Sequence, residues 1–253
     1  MKKIVLFKCF VAICMAFICV LLYSRRPIVS GKISGQTVFL TFCHLFHRKD
    51  VEPMSTFILI DDDSGPGIEQ IHDICERVGV KAIFAVVPAF LDSARCDSLK
   101  KWQEEGYGIA IHGYNHGPWK DWNTEEVKSD IVKSLNFLEN HNFKNIENIN
   151  LVVVPSFYNT KAIRDAVSSM DMKMVLGGNV VNPDTIVSQW GRVFITKNTD
   201  VDKIIDVMRE TKKRKYSIVF GTHSSSVDEF SPEKTETILN AAKEIFKNLH
   251  NSE

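Results

Sequence analysis

The sequence predicts an α/β fold: an irregular TIM-like (β/α)7 barrel with its active site at the C-terminal ends of the parallel strands, preceded by an N-terminal hydrophobic helix. Three observations predict it. From about residue 55 onward, short apolar runs alternate with segments of helical spacing, which implies parallel strands covered by helices. The runs are continuously apolar, as expected for strands buried on both faces. Polar and ionisable residues gather where the runs end, at Asp61-Asp62-Asp63, His112, Pro155-Ser156-Phe157 and Thr222-His223. A doubly wound open sheet is the alternative. In either design the chemistry belongs at the carboxyl ends of the strands.

The elements follow in order. Residues 56–60 form the first strand and Ser64-Gly65-Pro66-Gly67 a loop. Ile68, Ile71, Ile74, Cys75 and Val78 make one apolar face of a helix that Gly79 stops. Residues 80–87 are the second strand, ended by Pro88. Residues 99–105 are the tail of a helix, and residues 107–111 are the third strand. Thr124, with Glu125 and Glu126, opens a helix that runs to Asn140. Residues 149–154 are a fourth strand and residues 160–170 a helix. Residues 173–176 and 192–195 are short fifth and sixth strands. A helix over 201–211, a strand over 216–220 and a closing helix over 232–249 complete the pattern.

Ahead of this unit, residues 1–26 read as a signal anchor or signal peptide. Met1-Lys2-Lys3 is a basic start, residues 9–23 are apolar without a break, and Arg25-Arg26 closes the run. The run is short for a full span, and no Ala-x-Ala pattern follows it. The expectation is export with an uncleaved anchor in the cytoplasmic membrane and the domain outside. Secretion or periplasmic release after cleavage is the alternative. Residues 27–54 read as a linker with an edge strand near residues 38–42, and residues 55–250 as the catalytic domain. Cys9, Cys14 and Cys19 lie in the anchor, which leaves Cys43, Cys75 and Cys96. An odd number without Cys-x-x-Cys spacing is neither a disulfide framework nor a zinc knuckle. The 31 basic and 31 acidic side chains cancel, so no electrostatic case for nucleic acid arises.

His112 and His116 stand where an apolar run meets its loop, and two imidazoles there can converge on a metal. The competing reading is two unrelated surface or capping histidines. Three adjacent aspartates after a strand repel one another; a cation compensates them most simply, and solvation at an exposed end also serves. One Asp with two His is a plausible ligand set for a catalytic divalent metal with positions left for water. Zinc is the default, and cobalt, nickel and iron suit the same donors. His223 is a proton donor or acceptor at the same mouth.

These pieces resemble, in order, the polysaccharide deacetylase (NodB-homology) family of carbohydrate esterases, over about residues 56–223. Ile60-Asp61-Asp62 resembles that family's first motif, Thr-Phe-Asp-Asp-Gly, and Gly79-Val80-Lys81-Ala82-Ile83-Phe84 the strand that follows it. His112-Gly113-Tyr114-Asn115-His116 is similar to the His-Ser/Thr-x-x-His motif, Pro155 to the proline of the third motif, and His223 to the last motif's histidine. The resemblance implies Asp61 as catalytic base, Asp62, His112 and His116 as metal ligands, and His223 as general acid. It implies hydrolysis of an N- or O-acetyl group on a sugar, with backbone N–H near Ser156 holding the oxyanion. Pro155, Ser156, Phe157 and Trp119 are the candidate substrate-binding residues.

The departures are specific. Asp63 replaces the glycine after the aspartate pair, so the register can slide to Asp62 as base and Asp63 as ligand. The third motif's arginine is missing, with Val153 or Val154 in its place, and Gln189-Trp190 is only a weak fourth-motif candidate. Trp119 and Trp122 either wall a sugar site or are ordinary packing. Lys212-Lys213-Arg214-Lys215 reads as a solvated helix end. Three functions stay open: an envelope-anchored sugar deacetylase, a metal-dependent hydrolase of another amide on the same fold, and a non-catalytic carbohydrate-binding envelope protein.

Overall fold

The computed structural model describes residues 56–62, 65–178, 181, 189–226 and 228–246. The expected anchor, linker and edge strand, and Asp63, lie outside the described residues. Among the described residues no helix is long and apolar enough to cross a membrane.

Among the described residues eight short strands form one parallel sheet in the order β6-β5-β4-β3-β2-β1-β8-β7. They are β1 (Phe57–Asp61), β2 (Ala82–Val86), β3 (Gly108–Ile111), β4 (Leu151–Val153), β5 (Lys173–Val175), β6 (Gln189–Trp190), β7 (Val193–Phe194) and β8 (Ile218–Thr222). β6 pairs with β5 at one end of the sheet and β7 pairs with β8 at the other. Only Gly191 and Arg192 separate the two in sequence. The run therefore carries the chain from one edge to the other and curls the sheet round on itself. Counted as one strand, it leaves the seven expected. Its first half, β6, falls outside the sixth strand predicted at 192–195.

Among the described residues six helices cover the outside: α1 (Ile68–Val78), α2 (Ser93–Glu104), α3 (Thr124–Asn140), α4 (Lys161–Ser169), α5 (Val201–Lys213) and α6 (Pro232–Phe246). Local chemistry sets their ends. Gly79 closes α1 in the left-handed region at φ 73. Asp92, Thr160 and Asp200 accept backbone N–H groups at the starts of α2, α4 and α5. The cap of α3 is Asn123, one residue before the expected Thr124, in a reciprocal capping box with Glu126. A cap oxygen also explains why α2 begins at Ser93, well before the predicted tail.

Strand pleat divides the core in two. Leu59, Phe84, Ile109, Ile111 and Phe220 face the helices with Ile68, Ile71 and Leu239. Ile60, Ala85, Ala110, Leu151, Val153, Val175, Trp190 and Val219 fill the barrel interior. Cys75 and Cys96 are both buried free thiols.

Candidate active site

The alternation of side chains along a strand decides what reaches the barrel mouth. Two residues beyond the interior positions Ile60, Ala110, Trp190 and Val219 stand Asp62, His112, Arg192 and Gly221, and His223 follows Gly221 by two more. These residues share the interior parity. Asp61 shares the parity of Leu59, on the helix-facing side.

Asp62 is the centre of the mouth. Its Oδ1 lies 2.8 Å from Arg192 Nη1 and its Oδ2 lies 2.8 Å from His223 Nε2. The guanidinium meets Oδ1 as a charge pair, and among the described residues neither Arg192 Nη atom has an aligned hydrogen-bond partner. Arg192 is fully buried, with Phe157 and Phe194 ring centroids at 4.7 and 4.8 Å and Nε donating to the Leu176 carbonyl at 3.4 Å. Gly221 makes room for it: a Cβ there would lie 3.1 Å from the Phe194 ring and 3.3 Å from Arg192 Cδ. Burial disfavours an ionised Asp62, but Arg192, His223 and His112 outweigh it and bring the carboxyl down to about 2. Burial likewise disfavours protonated His223, yet Asp62 and then Glu229, 3.3 Å from Nδ1, hold its pKa above the ordinary value. Each ring nitrogen thus faces a carboxylate, the arrangement of an imidazolium.

Asp61 does something different. Its Oδ1 accepts Thr222 Oγ1–H at 2.8 Å and Ser224 N–H at 3.0 Å, and its Oδ2 accepts Ser224 Oγ–H at 2.6 Å. It ties the end of β1 to the end of β8. Burial pushes its carboxyl up to about 7 against those hydrogen bonds. That value suits a base, but geometry comes before pKa, and this side chain is wholly buried with its acceptors engaged.

His112 Nδ1 lies 2.7 Å from the Val153 carbonyl, which can only accept, so Nδ1 carries the proton and Nε2 presents a lone pair. Burial lowers its pKa to about 4, against the pull of Asp62, so the ring is neutral as a ligand requires. The exposed His116 ring is 4.9 Å away, edge-on. A left-handed loop brings it there: Gly113 has φ 75 and His116 φ 55. A Cβ on Gly113 would sit 3.1 Å from Pro155 Cγ. Asp130 pins the loop by accepting Tyr114 N–H at 2.8 Å and Trp119 Nε1–H at 3.1 Å.

Two imidazoles beside a run of aspartates are a donor set that fits a divalent cation. Asp62, however, is engaged by Arg192 and His223. Among the described residues the set whose ligand atoms all fall within 4.8 Å of one another is His72, Glu76 and Glu105, outside the barrel. There Lys81 Nζ, 2.6 Å from Glu76, already neutralises that carboxylate.

The substrate-binding expectations divide. Trp119 is fully buried in the packing of α3 and α4, so its ring has no free face and cannot wall a sugar site. Pro155 is buried behind Gly113 and supports the histidine loop. Ser156 is exposed at φ 51, and Phe157, at φ 58, is half-buried. Phe157, Phe194 and His223 line a cleft of about 300 Å³ with Thr196, Asn198 and Glu229. Arg192, Phe194 and Glu229 were absent from the expected site. The one signal for Arg192 was a charge opening an otherwise apolar strand.

A sequence profile of the polysaccharide deacetylase family matches residues 48–175, just over half of the 253 residues. No curated protein sequence matches the chain. Among solved structures, a family 4 carbohydrate esterase from Streptomyces lividans in complex with acetate is similar at a TM-score of 0.53 and 14% identity, over 77% of this chain and 88% of that one. A family 4 acetyl xylan esterase from Clostridium thermocellum in complex with a cobalt ion is similar at 0.52 and 13%, over 75% and 84%. A family 4 pseudoenzyme from Bacillus anthracis is similar at 0.52 and 15%, over 82% and 68%. At these identities the likeness shows the fold.

Proposed function

Because the chain belongs to the polysaccharide deacetylase family, we propose that it removes N- or O-acetyl groups from an envelope or extracellular carbohydrate, with Asp62 as base and His223 as general acid beside a divalent metal. The observation that carries this reading is Asp62 at the interior parity, between Arg192 and His223, each at 2.8 Å. It favours the second register of the aspartate run. Asp61 then fastens β1 to β8, and the metal ligands of that register are Asp63, His112 and His116. Arg192 supplies the arginine missing from the third motif, from the strand that closes the barrel. A cobalt ion in the Clostridium thermocellum esterase supports a metal here, and zinc is the first choice.

When bound, a divalent cation at these histidines supplies Lewis-acid polarisation of the acyl oxygen and acidifies a water. The chain's own groups do the rest. Arg192 keeps Asp62 ionised, so the carboxylate can take a proton from the attacking water. In the resting protein His223 is bonded to Asp62, and substrate must part them. Departure of His223 removes one group that depresses the Asp62 pKa and makes it a better base. His223, held protonated with Glu229 behind it, then delivers a proton to the leaving nitrogen or oxygen. The Ser156 backbone N–H, on an exposed turn, is a donor for the developing oxyanion. Phe157 and Phe194 offer the apolar wall against which a sugar ring can lie.

The test is acetate release from N-acetylated chitooligosaccharides and acetylated xylan by the zinc-loaded protein. Release that disappears in Asp62→Asn supports the assignment, and a wild-type rate in that variant overturns it. Glycan binding by the wild type without release would select the binding-protein reading, and turnover of non-carbohydrate amides alone would select the other hydrolase. The basic start and apolar run at residues 1–26 support export with a membrane anchor. Protease added to intact cells and to spheroplasts tests it: a domain resistant in both overturns export.

A further inference from the structure

The foot of the barrel, where the strands start, carries four consecutive cations, Lys212-Lys213-Arg214-Lys215, in the turn from α5 into β8. Two lysines close α5, whereas the other helices have at most one basic residue in the last turn. The helix dipole favours a cation within that turn. Lys215 lies beyond it, in the left-handed position after the helix, at φ 56. The corresponding positions after α3 and α4 hold Asn142 and Asp171, residue types that adopt this conformation more readily. The turn is firmly built. Lys215 N–H donates to the Lys212 carbonyl at 2.9 Å and Tyr216 N–H to the Thr211 carbonyl at 2.9 Å, with Thr211 and Tyr216 buried. Lys212 Nζ donates to the Ile245 carbonyl, so α5 and α6 end together around an open groove lined by Arg209, Lys212, Lys213, Glu244 and Ile245.

We propose that this basic turn docks the foot of the barrel on an anionic phospholipid surface, so that the mouth faces away from the membrane. The proposal rests on the reading of residues 1–26 as a membrane anchor. Arg209 and Arg214 pair with Asp206 and Glu210. Lys212, Lys213 and Lys215 are exposed and outnumber the one carboxylate of Glu244. The undescribed stretches 27–55, 182–188 and 247–253 leave that surplus standing, because their Lys32, Arg48, Lys49 and Lys247 balance Asp50, Glu52, Asp184 and Glu253. The turn also lies where the chain enters the domain. The Thr56 carbonyl accepts Ile218 N–H at 2.9 Å, and β1 pairs with β8 from Phe57 against Ile218 onward. The chain ahead of Thr56 leads back to the apolar run and its basic flanks. An anchor alone sets no orientation: residues 27–55, at about 3.5 Å each when extended, reach on the order of 100 Å. The turn supplies what the anchor lacks. Each lysine near an anionic surface strengthens association about fivefold, and three together on the order of a hundredfold. Because β1 and β8 run from foot to mouth, docking at the foot points Asp62 and His223 away from the bilayer.

The experiment mixes the full-length protein with vesicles of phosphatidylcholine alone, or with about a quarter phosphatidylglycerol. Propionylation by a succinimidyl ester, read by peptide mass spectrometry, reports each lysine. Lys161 and Lys203, exposed at the mouth ends of α4 and α5, are the references. Lys213 and Lys215 should react about fivefold more slowly on the anionic vesicles, the factor expected for one lysine at such a surface, with the references unchanged. About 1 M NaCl, where the Debye length is about 3 Å, should remove the difference. Lys213→Gln/Lys215→Gln, two exposed changes, should abolish protection of Lys212. Equal rates on the two vesicles overturn the docking face, and so does protection of Lys212 that survives in the variant. Equal slowing of Lys161 and Lys203 overturns the orientation. Protection by inorganic phosphate on neutral vesicles overturns the lipid assignment. Flotation with neutral vesicles reads the anchor separately. No flotation there, with the anionic response intact, overturns the anchor and upholds the turn; flotation there with equal lysine rates does the reverse.

Discussion

Replacing Arg192 with Met keeps an unbranched stem between Phe157 and Phe194 but removes the guanidinium from Asp62. The carboxylate is then left in a buried position with His223 as its remaining close cation. Breaking a buried pair by removing one partner costs about 3–5 kcal/mol, because the other charge stays buried and uncompensated. The lost contact with two ring faces at 4.7 and 4.8 Å adds to this, at about 1–2 kcal/mol for a desolvated cation–π pair. With a urea m-value of about 2 kcal/mol/M, a 4 kcal/mol loss moves the midpoint by about 2 M. Urea unfolding at pH 7, followed by tryptophan fluorescence, measures it. The double variant Asp62→Asn/Arg192→Met should be more stable than Arg192→Met alone by about 2 kcal/mol or more, since no orphan carboxylate remains. A midpoint shift under about 0.5 M for Arg192→Met, near 1 kcal/mol on the same slope, would refute the pair as the anchor of the mouth. So would a double variant less stable than the single one.

Asp61→Asn should preserve acetate release, because Oδ1 keeps both its donors and Nδ2–H can donate to Ser224 Oγ. Asp62→Asn should lose about 10²–10⁴ of the rate, the usual contribution of a positioned base; the reverse ranking would restore the first register. In the wild type the Asp61 pKa of about 7 is raised above the unfolded value of 3.8, so its contribution to stability is full below pH 4 and declines as pH rises to 7. Asp61→Asn should abolish that decline, worth up to about 4 kcal/mol at 1.36 kcal/mol per unit, and parallel pH–stability curves for the two proteins would contradict it. Asp62 works the other way: its stabilisation is present above pH 3.8 and is lost as pH falls toward 2. Bound zinc should fall to background in His112→Ala and His116→Ala by elemental analysis; undiminished metal in both would move the site elsewhere. Cys75, wholly buried with its thiol pushed up to about 12 first by burial, should resist iodoacetamide at pH 8 until the chain unfolds, as peptide mapping can verify.

Much of this was legible in advance because strands buried on both faces announce themselves as unbroken apolar runs. The start of α1 at Ile68 and the closing strand at β8 needed nothing else. Cap positions shifted by a residue or more where a polar side chain outside the periodic segment, Asn123 or Asp92, supplied the first acceptor. Trp119 could not be judged from sequence. Its neighbours His116 and Trp122 suggested an exposed loop, while the partner that buries it, Asp130, lies on the following helix. Arg192 was illegible for a different reason. It reaches Asp62 only because the chain crosses from one sheet edge to the other at Gly191, and that closure is a long-range fact.

Pleat parity is a local property: if Ile60 faces the interior, Asp62 must face it too and Asp61 must not, whatever the motif of a related family says. The same count from Ala110 reaches His112, and from Val219 it reaches Gly221 and His223. Three strands counted independently therefore converge on Asp62, His112 and His223, and leave Asp61 among the groups that join β1 to β8. Motif matching aligns letters, and it carries no information about which side of the sheet a letter occupies. A run of three aspartates is where that difference matters most, because each slip of one residue keeps the letter and reverses the face.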